Sequence, residues 1–335
     1  MKTYNNLFND VCSFENLHLA YLKARRCKRY RKEILKFSYN LEKNLLRLRS
    51  ELKNQVYHHD PYREFTVNDS KKRRIKTAPF QDRVVHHALC NIIEPIFDKG
   101  FIFDSYACRK EKGTHRAIKR LEKFLRSNKN LYVLKCDISK YFASIEHQIL
   151  LELIKKRIAD QKALWLVKEI LNSTYEKKLG TGIPIGNLTS QLFASIYLNE
   201  LDQFVKHKLR IKYYLRYMDD FLILDFEKKK LHQIKEEIRE VLQNRLKLEL
   251  HPKKANVSPI DKGIDFLGYR IFGNYRLLRK STVKRFVKRT GIYQKRLREG
   301  ILSKEKFNNS LQSWIAYAKF GNSWRLRRKL LVLLE

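Results

Sequence analysis

The chain has little of what interrupts or tethers structure. Its 335 residues include 6 prolines and 11 glycines and no low-complexity segment. That predicts a chain compact throughout rather than domains on a flexible linker. No run of about 18 apolar residues occurs, which excludes a helix that spans a membrane. The start, Met1-Lys-Thr-Tyr-Asn-Asn, carries no hydrophobic core of the signal-peptide kind. Cysteine is sparse and unpatterned: Cys12, Cys27, Cys90, Cys108 and Cys136 form no Cys-x-x-Cys pair for zinc and suggest no disulfide framework. These absences predict a reduced, soluble, intracellular protein with no membrane partner. Acid is scarce too. Lys and Arg number 72 against 35 Asp and Glu, a formal net charge of +37. Such an excess is foreign to a typical metabolic enzyme. It predicts a polyanionic partner, held by an association that weakens steeply with salt.

The few acids sit in telling places. Residues 216–225 read Arg-Tyr-Met-Asp-Asp-Phe-Leu-Ile-Leu-Asp. Strand-type sequence, Lys212–Tyr217 before and Phe221–Phe226 after, brackets Asp219 and Asp220, which predicts a hairpin with paired carboxylates at its tip. Like charges side by side raise each other's pKa unless something positive lies between them. A divalent metal is the natural occupant. The plainer reading, a solvated acidic turn, is disfavoured by the apolar strands that flank the pair. A third acid ends the short apolar strand Leu131-Tyr-Val-Leu-Lys-Cys-Asp137. Alone it means little; with the hairpin it makes three carboxylates able to converge on one edge of a sheet. Magnesium takes oxygen ligands in octahedral geometry. Two such ions held by shared carboxylates can activate a 3′-hydroxyl and stabilise a leaving diphosphate, as in polymerases. Asp202 and Asp225 read as a helix cap or salt-bridge partner and as a strand-end acid.

Residues 15–56 carry helical apolar spacing with basic residues between, and read as two basic helices. Residues 62–80 look extended, with the charge run Lys71-Lys72-Arg73-Arg74. Helices are expected near 81–97, 114–127, 147–157, 161–173 and 228–247. Another runs from the turn Gly182–Gln191 to about 208, with Thr189 or Asn187 as its N-cap. Short strands fall in 248–272, around Pro252 and Phe266-Leu-Gly268. From Asn274 on the pattern is helical again, with 17 Lys and Arg against 3 acids. Such a run is either a solvated face or a grip on nucleic acid. The interleaved Trp314, Tyr317, Phe320 and Trp324 favour the grip.

Several blocks, in order, then resemble one family. Arg216-Tyr-Met-Asp-Asp resembles the catalytic hairpin of reverse transcriptases, and Cys136-Asp-Ile-Ser-Lys-Tyr-Phe-Ala-Ser-Ile145 resembles their first catalytic-acid motif. Lys72-Arg-Arg-Ile-Lys-Thr-Ala-Pro-Phe-Gln-Asp-Arg-Val-Val-His-His-Ala88 is similar to the fingers segment of bacterial and intron-type members, and Ser105-Tyr-Ala-Cys-Arg-Lys-Glu-Lys-Gly-Thr-His115 to the next block. Pro252-Lys-Lys-Ala and Ile264-Asp-Phe-Leu-Gly268 are similar to the late palm motifs. The resemblance runs from about residue 62 to 272. It implies an α+β right-hand polymerase: N-terminal basic helices in 1–60, fingers with palm entry in 61–130, a palm with an antiparallel sheet and inserted fingers helices in 131–273, and a helical basic thumb in 274–335. The implied activity is RNA-directed DNA polymerisation with two Mg²⁺ ions, on deoxynucleoside triphosphates, a template RNA and the RNA/cDNA duplex.

Site roles follow from the same resemblance. Asp137 and Asp219 would bind both metals with Asp220 assisting, and Ile138 would join the metal shell. Phe142 falls where the family places an aromatic gate against a ribose 2′-hydroxyl; ordinary core packing is the alternative. Arg74, Lys72 or Arg73 would clamp the triphosphate, for which a planar guanidinium is suited. Lys254 either protonates the leaving diphosphate or only packs beside the nucleotide, and Ile185 and Gly186 would border it. Trp314, Arg325, Arg327 and Arg328 would hold nucleic acid.

Two departures matter. Ala143 follows the gate where many relatives have an acid or proline. Ile185-Gly-Asn-Leu-Thr-Ser-Gln191 has Ile-Gly and Ser-Gln where most members have Gln-Gly and Ser-Pro. That form resembles the enzymes of diversity-generating retroelements, which copy template RNA with errors at adenines. Isoleucine cannot make the hydrogen bond that glutamine makes there, so geometric discrimination should loosen. Otherwise Ile185 is simply an apolar turn residue. The subtype implies a small helical accessory protein and the cytoplasm of a bacterial or phage-infected cell. No RNase H or endonuclease domain is expected after the basic tail. The rivals are a retron or phage-defence reverse transcriptase and a non-catalytic basic RNA-binding scaffold.

Overall fold

The computed structural model describes residues 2–68, 72–128, 130–173 and 179–332. Four helices open it: α1 (Phe8–Val11), α2 (Phe14–Ala24), α3 (Lys32–Tyr39) and α4 (Leu41–Lys53). Two were expected over 15–56, and the division has local causes. Residues 25–31 offer no aliphatic side chain to bury, and Tyr30 among them is 92% exposed. Asn40 leaves the helical region at φ −115°, ψ 49°. Within α2 and α4, Leu17, Ala20 and Tyr21, then Leu45, Leu48 and Leu52, are buried at the three-and-four spacing of one helix face.

The extended region is a hairpin of β1 (Arg63–Asn68) and β2 (Lys72–Thr77). Then come α5 (Phe80–Asp98), α6 (Thr114–Arg126), β3 (Tyr132–Asp137), a 3-10 turn at Tyr141–Ser144, α7 (His147–Lys155) and α8 (Gln161–Asn172). The helix α9 (Leu188–Gln203) runs into a π-turn at Phe204–Lys208. Asn187 holds its N-cap position without a side-chain capping bond. Strands β4 (Tyr213–Tyr217) and β5 (Asp220–Asp225), helix α10 (Lys228–Leu246) and strand β6 (Asn256–Pro259) follow. Pro252 lies in a turn, not a strand. The remainder is β7 (Ile264–Phe266), β8 (Tyr269–Ile271), β9 (Arg276–Leu278), α11 (Lys280–Arg298), α12 (Lys304–Lys319) and α13 (Trp324–Val332).

β4, β5, β3 and β6 form one antiparallel sheet in that order. Its strands alternate between two cores, as a period of two requires. Leu134, Cys136, Phe221 and Ile223 face the larger core, built with α2, α5, α7, α9 and α10. Val133, Leu222 and Leu224 face the second, with α6, the sheet β7–β9, and Phe286 and Trp314 from α11 and α12. In that second sheet β7 turns into β8 through Leu267 and Gly268, both at positive φ, the conformation that two-residue hairpin turns use. A Cβ on Gly268 would collide with the Tyr317 hydroxyl, which donates to the Gly268 carbonyl at 3.1 Å.

All five cysteines are free. Among the described residues no helix is long and apolar enough to cross a membrane.

Candidate active site

Strand parity places the acids. Asp137 ends β3 on the face that carries Lys135 and Val133, and its register partner on β5 is Asp220, on the face of Leu222 and Leu224. Tyr217 pairs with Asp220, so Met218 and Asp219 form the two-residue tip between them. Met218 has φ 57°, a region uncommon for a residue with a side chain and met where surroundings over-determine the backbone.

Here those surroundings are a buried ion pair. Arg216 and Asp202 have no solvent exposure. Arg216 Nε and Nη2 donate to the two Asp202 carboxylate oxygens at 2.7 and 2.5 Å, and the Tyr214 hydroxyl donates to the same carboxylate at 2.7 Å. Arg216 Nη1 donates to the Met218 carbonyl at 3.1 Å. Asp202 is thus the salt-bridge partner anticipated for it, and through Arg216 it supports the hairpin tip. Arg216 itself, the one charge in the strand Tyr213-Tyr214-Leu215-Arg216-Tyr217, carries no local sequence sign that it is buried.

Around the acids the compensating charges are lysines. Lys254 Nζ donates to Asp137 Oδ2 at 2.5 Å. Lys135 Nζ lies 3.7 Å from Asp220 Oδ1, an oxygen buried without a hydrogen bond. Burial pushes Asp219 up to about 6, with the charges of Asp137 and Asp220 adding to the shift. Burial also raises Asp220, against the pull of Lys135. Among the described residues no three acid, His or Cys side chains stand close enough to hold a metal ion. The acids share one sheet end, where Lys254 pairs with Asp137 and Lys135 approaches Asp220. A crowded acid set with an orphaned buried oxygen is nonetheless suited to a divalent cation. Ile138 is buried, and its backbone bridges to Leu250, so only its main chain could join a metal shell.

Phe142, Ile185 and Gly186, expected beside a nucleotide, lie around the turn before α9. Phe142 is half-buried and packs edge-on against Tyr141 at 5.6 Å. Its carbonyl accepts from Ile183 N at 2.8 Å, which ties it to the turn carrying Ile185 and Gly186. Gly186 has φ 123°, and a Cβ there would come within 3.3 Å of Ile75 Cγ2 on β2, so the turn lies close against the β1–β2 hairpin. Ile185 is 39% exposed and is no core residue. Arg74 is largely exposed and pairs with Glu64 at 2.5 Å. The side chain of Lys72 and all of Lys71 lie outside the described residues.

At the C-terminal end one reading is corrected. Trp314 is 5% exposed and stacks on Phe286 with ring centroids 3.7 Å apart, so its ring fills the core between α11 and α12. Trp324 is the exposed indole, with the Arg328 guanidinium 5.7 Å over its ring. Arg325 and Arg328 are exposed, while Arg327 is partly buried.

Comparisons with known proteins agree with this geometry. The family model for Reverse transcriptase (RNA-dependent DNA polymerase) matches residues 64–271. The chain is 27% identical to Protein YkfC of Escherichia coli (strain K12) over 266 residues, 67% of this chain and 70% of that one. It is 26% identical to the Group II intron-encoded protein LtrA of Lactococcus lactis subsp. cremoris over 314 residues, 73% of this chain and 51% of LtrA. It therefore spans about half the length of that relative. Over 118 residues, 34% of this chain and 16% of the other, it is 30% identical to Nuclear intron maturase 1, mitochondrial, of Arabidopsis thaliana. The matched segment contains the acid-tipped hairpin, Asp137 and the turn at Gly186 within an α+β fold of the right-hand polymerase kind, and the chain belongs to the reverse transcriptase family.

Proposed function

We propose that the chain is an RNA-directed DNA polymerase that copies a template RNA into cDNA, in a diversity-generating retroelement whose errors concentrate at template adenines. The observation that carries the polymerase reading is the register of Asp137 opposite Asp220 beside Asp219 at one sheet end. Two magnesium ions, held by Asp137, Asp219 and Asp220 with the main chain at Ile138, would supply activation of the primer 3′-hydroxyl and neutralisation of the leaving diphosphate.

The remaining roles belong to the chain's own side chains. Lys254, on Asp137 Oδ2, is placed to hold a proton at the edge of the reacting centre. Phe142, tied to Ile183, bars a ribose 2′-hydroxyl. Arg74 exchanges Glu64 for triphosphate oxygens, and the exposed Ile185 and Gly186 border the nucleotide. Trp324, Arg325 and Arg328 give the C-terminal helices a stacking and charged surface for the RNA/cDNA duplex. A small helical accessory protein completes the assembly.

The subtype rests on Ile185, which is exposed beside the fingers-like hairpin where a glutamine could hydrogen-bond the nucleotide. Ile185→Gln should restore one such bond, worth about 0.5–1.5 kcal/mol or about two- to twelve-fold in discrimination. Sequencing cDNA made from a defined template by both proteins tests it. Equal adenine error rates in two comparably active enzymes would end the fidelity reading.

A second reading, a non-catalytic RNA-binding member, is favoured by the lysines that already pair with Asp137 and Asp220. Magnesium-dependent primer extension on a homopolymer template separates the two.

A further inference from the structure

The chain just before α9, which carries Ile185 and Gly186, lies in no helix or strand. Gly180, Gly182 and Gly186 take positive φ there, at 80°, 87° and 123°, so the backbone has conformational freedom to lose. What fixes it is the segment that follows Asp137 and leads into α7. Ile183 N donates to the Phe142 carbonyl at 2.8 Å, Gly182 N to the Ile145 carbonyl at 2.8 Å, and His147 N to the Gly180 carbonyl at 2.9 Å. Those three bonds are main-chain and open to almost any sequence. The fourth depends on a side chain. His147 Nε2 meets the Gly182 carbonyl at 2.7 Å. A carbonyl only accepts, so Nε2 carries the proton and donates it. His147 is 6% exposed, its Nδ1 is buried without a hydrogen bond, and Gly182 is buried as well. Without the ring, the Gly182 carbonyl loses its partner where solvent reaches it poorly.

The anchor is itself fixed. Beside His147, Glu146 N donates to the Tyr197 hydroxyl at 3.4 Å, and that hydroxyl donates to the Leu246 carbonyl at 2.7 Å, which ties the segment to α9 and α10. We infer that His147 is a positioning residue for nucleotide selection: by holding Gly182 it sets how the turn with Ile185 and Gly186 stands against Phe142. The nucleotide as ligand rests on the polymerase reading above. Phe142 and Ile185 sit on two different segments, and the bonds between those segments centre on Gly182, whose N–H and carbonyl are both engaged. The hairpin acids do not share this support, since Asp219 and Asp220 stand on the hairpin that Arg216 and Asp202 hold. Loss of the ring should therefore loosen nucleotide binding and the sugar gate together and spare the chemical step.

The test pairs steady-state incorporation with hydrogen exchange of the full chain. His147→Leu removes the donor, and His147→Asn keeps an amide that is one bond too short to reach Gly182. Both should raise KM for deoxynucleotides about two- to twelve-fold, the range of one hydrogen bond, with kcat little changed. Both should also raise ribonucleotide use relative to deoxyribonucleotide use. His147→Gln places an amide N–H where Nε2 stood and should restore both readouts. Exchange at the Gly182 and Ile183 amides, followed by mass spectrometry, needs no polymerase activity. It should quicken in the Leu and Asn variants and not in the Gln variant, with β3, β4 and β5 unchanged. An unaltered KM and sugar ratio in folded, active Leu and Asn variants would overturn the inference. So would a fall in kcat alone, or a Gln variant no better than Leu, since either would make the ring ordinary packing. Unchanged exchange at Gly182 would overturn it with or without activity. A wild-type chain that incorporates nothing, with variants that still exchange faster, counts against the polymerase reading and leaves His147 as the anchor of the turn.

Discussion

Removing one partner of the buried Arg216–Asp202 pair should cost far more than removing both. Asp202→Asn leaves a guanidinium without solvent exposure and without a counter-charge. The expected loss is about 3–5 kcal/mol, a large share of the roughly 5–15 kcal/mol that holds a folded domain. Arg216→Met combined with Asp202→Leu removes the uncompensated charge. What remains is mainly the orphaned Tyr214 hydroxyl, which donated to Asp202, at about 1–3 kcal/mol. Urea denaturation of the two single variants and the double closes the cycle, and a coupling of about 2 kcal/mol or more is expected. Activity then separates stability from positioning. Arg216 also holds the Met218 carbonyl, and the double variant lacks that bond even when its fold is intact. A misplacement of about 1 Å can cost about a hundredfold in rate, so the double variant should stay folded and incorporate nucleotide much more slowly. A cost below about 1 kcal/mol for Asp202→Asn, or full activity in the double variant, would refute the claim that this pair sets the hairpin tip.

The other predictions concern single positions. Asp219→Asn should abolish magnesium-dependent incorporation while RNA affinity, measured in parallel, stays near wild type, because binding comes from the basic surface. Substantial residual incorporation would count against the metal assignment. Phe142→Ala should raise ribonucleotide relative to deoxyribonucleotide incorporation, and an unchanged ratio would make Phe142 a packing residue. Burial raises buried Asp82 from 3.8 to about 7 even though the Tyr57 hydroxyl donates to it at 2.6 Å. A raised carboxyl contributes stability that is fully present below its unfolded value and lost as pH rises from about 4 through about 7. Wild type should therefore lose stability across that window relative to Asp82→Asn, by up to about 1.4 kcal/mol per pH unit. Parallel urea-denaturation profiles of the two proteins between pH 4 and pH 8 would contradict the shift.

What the sequence makes legible here is periodicity, and what it hides is partnership. The helices expected at 81–97 and 228–247 are Phe80–Asp98 and Lys228–Leu246, because their apolar residues recur at helical spacing with little competing signal. The acid-tipped hairpin is legible for a similar reason: two apolar strands leave only Met218 and Asp219 for the turn. The N-terminal region divides further than expected because a run of Arg and Lys can be exposed on a helix or in a loop alike. Trp314 reads as a surface aromatic among basic residues, yet Phe286 on a neighbouring helix covers it, and no local pattern names that neighbour. Arg216 is the mirror case, a charge in a strand whose burial depends on Asp202 across an intervening turn. Lys135 shows how far parity alone reaches. Its place two residues before Asp137 puts it on the face of Asp137 and Asp220. Only the fold brings the Asp265 carbonyl and the Asp220 carboxylate to the same ammonium. A strand residue that local reading passes over is thus the one that joins the second sheet to the acid cluster.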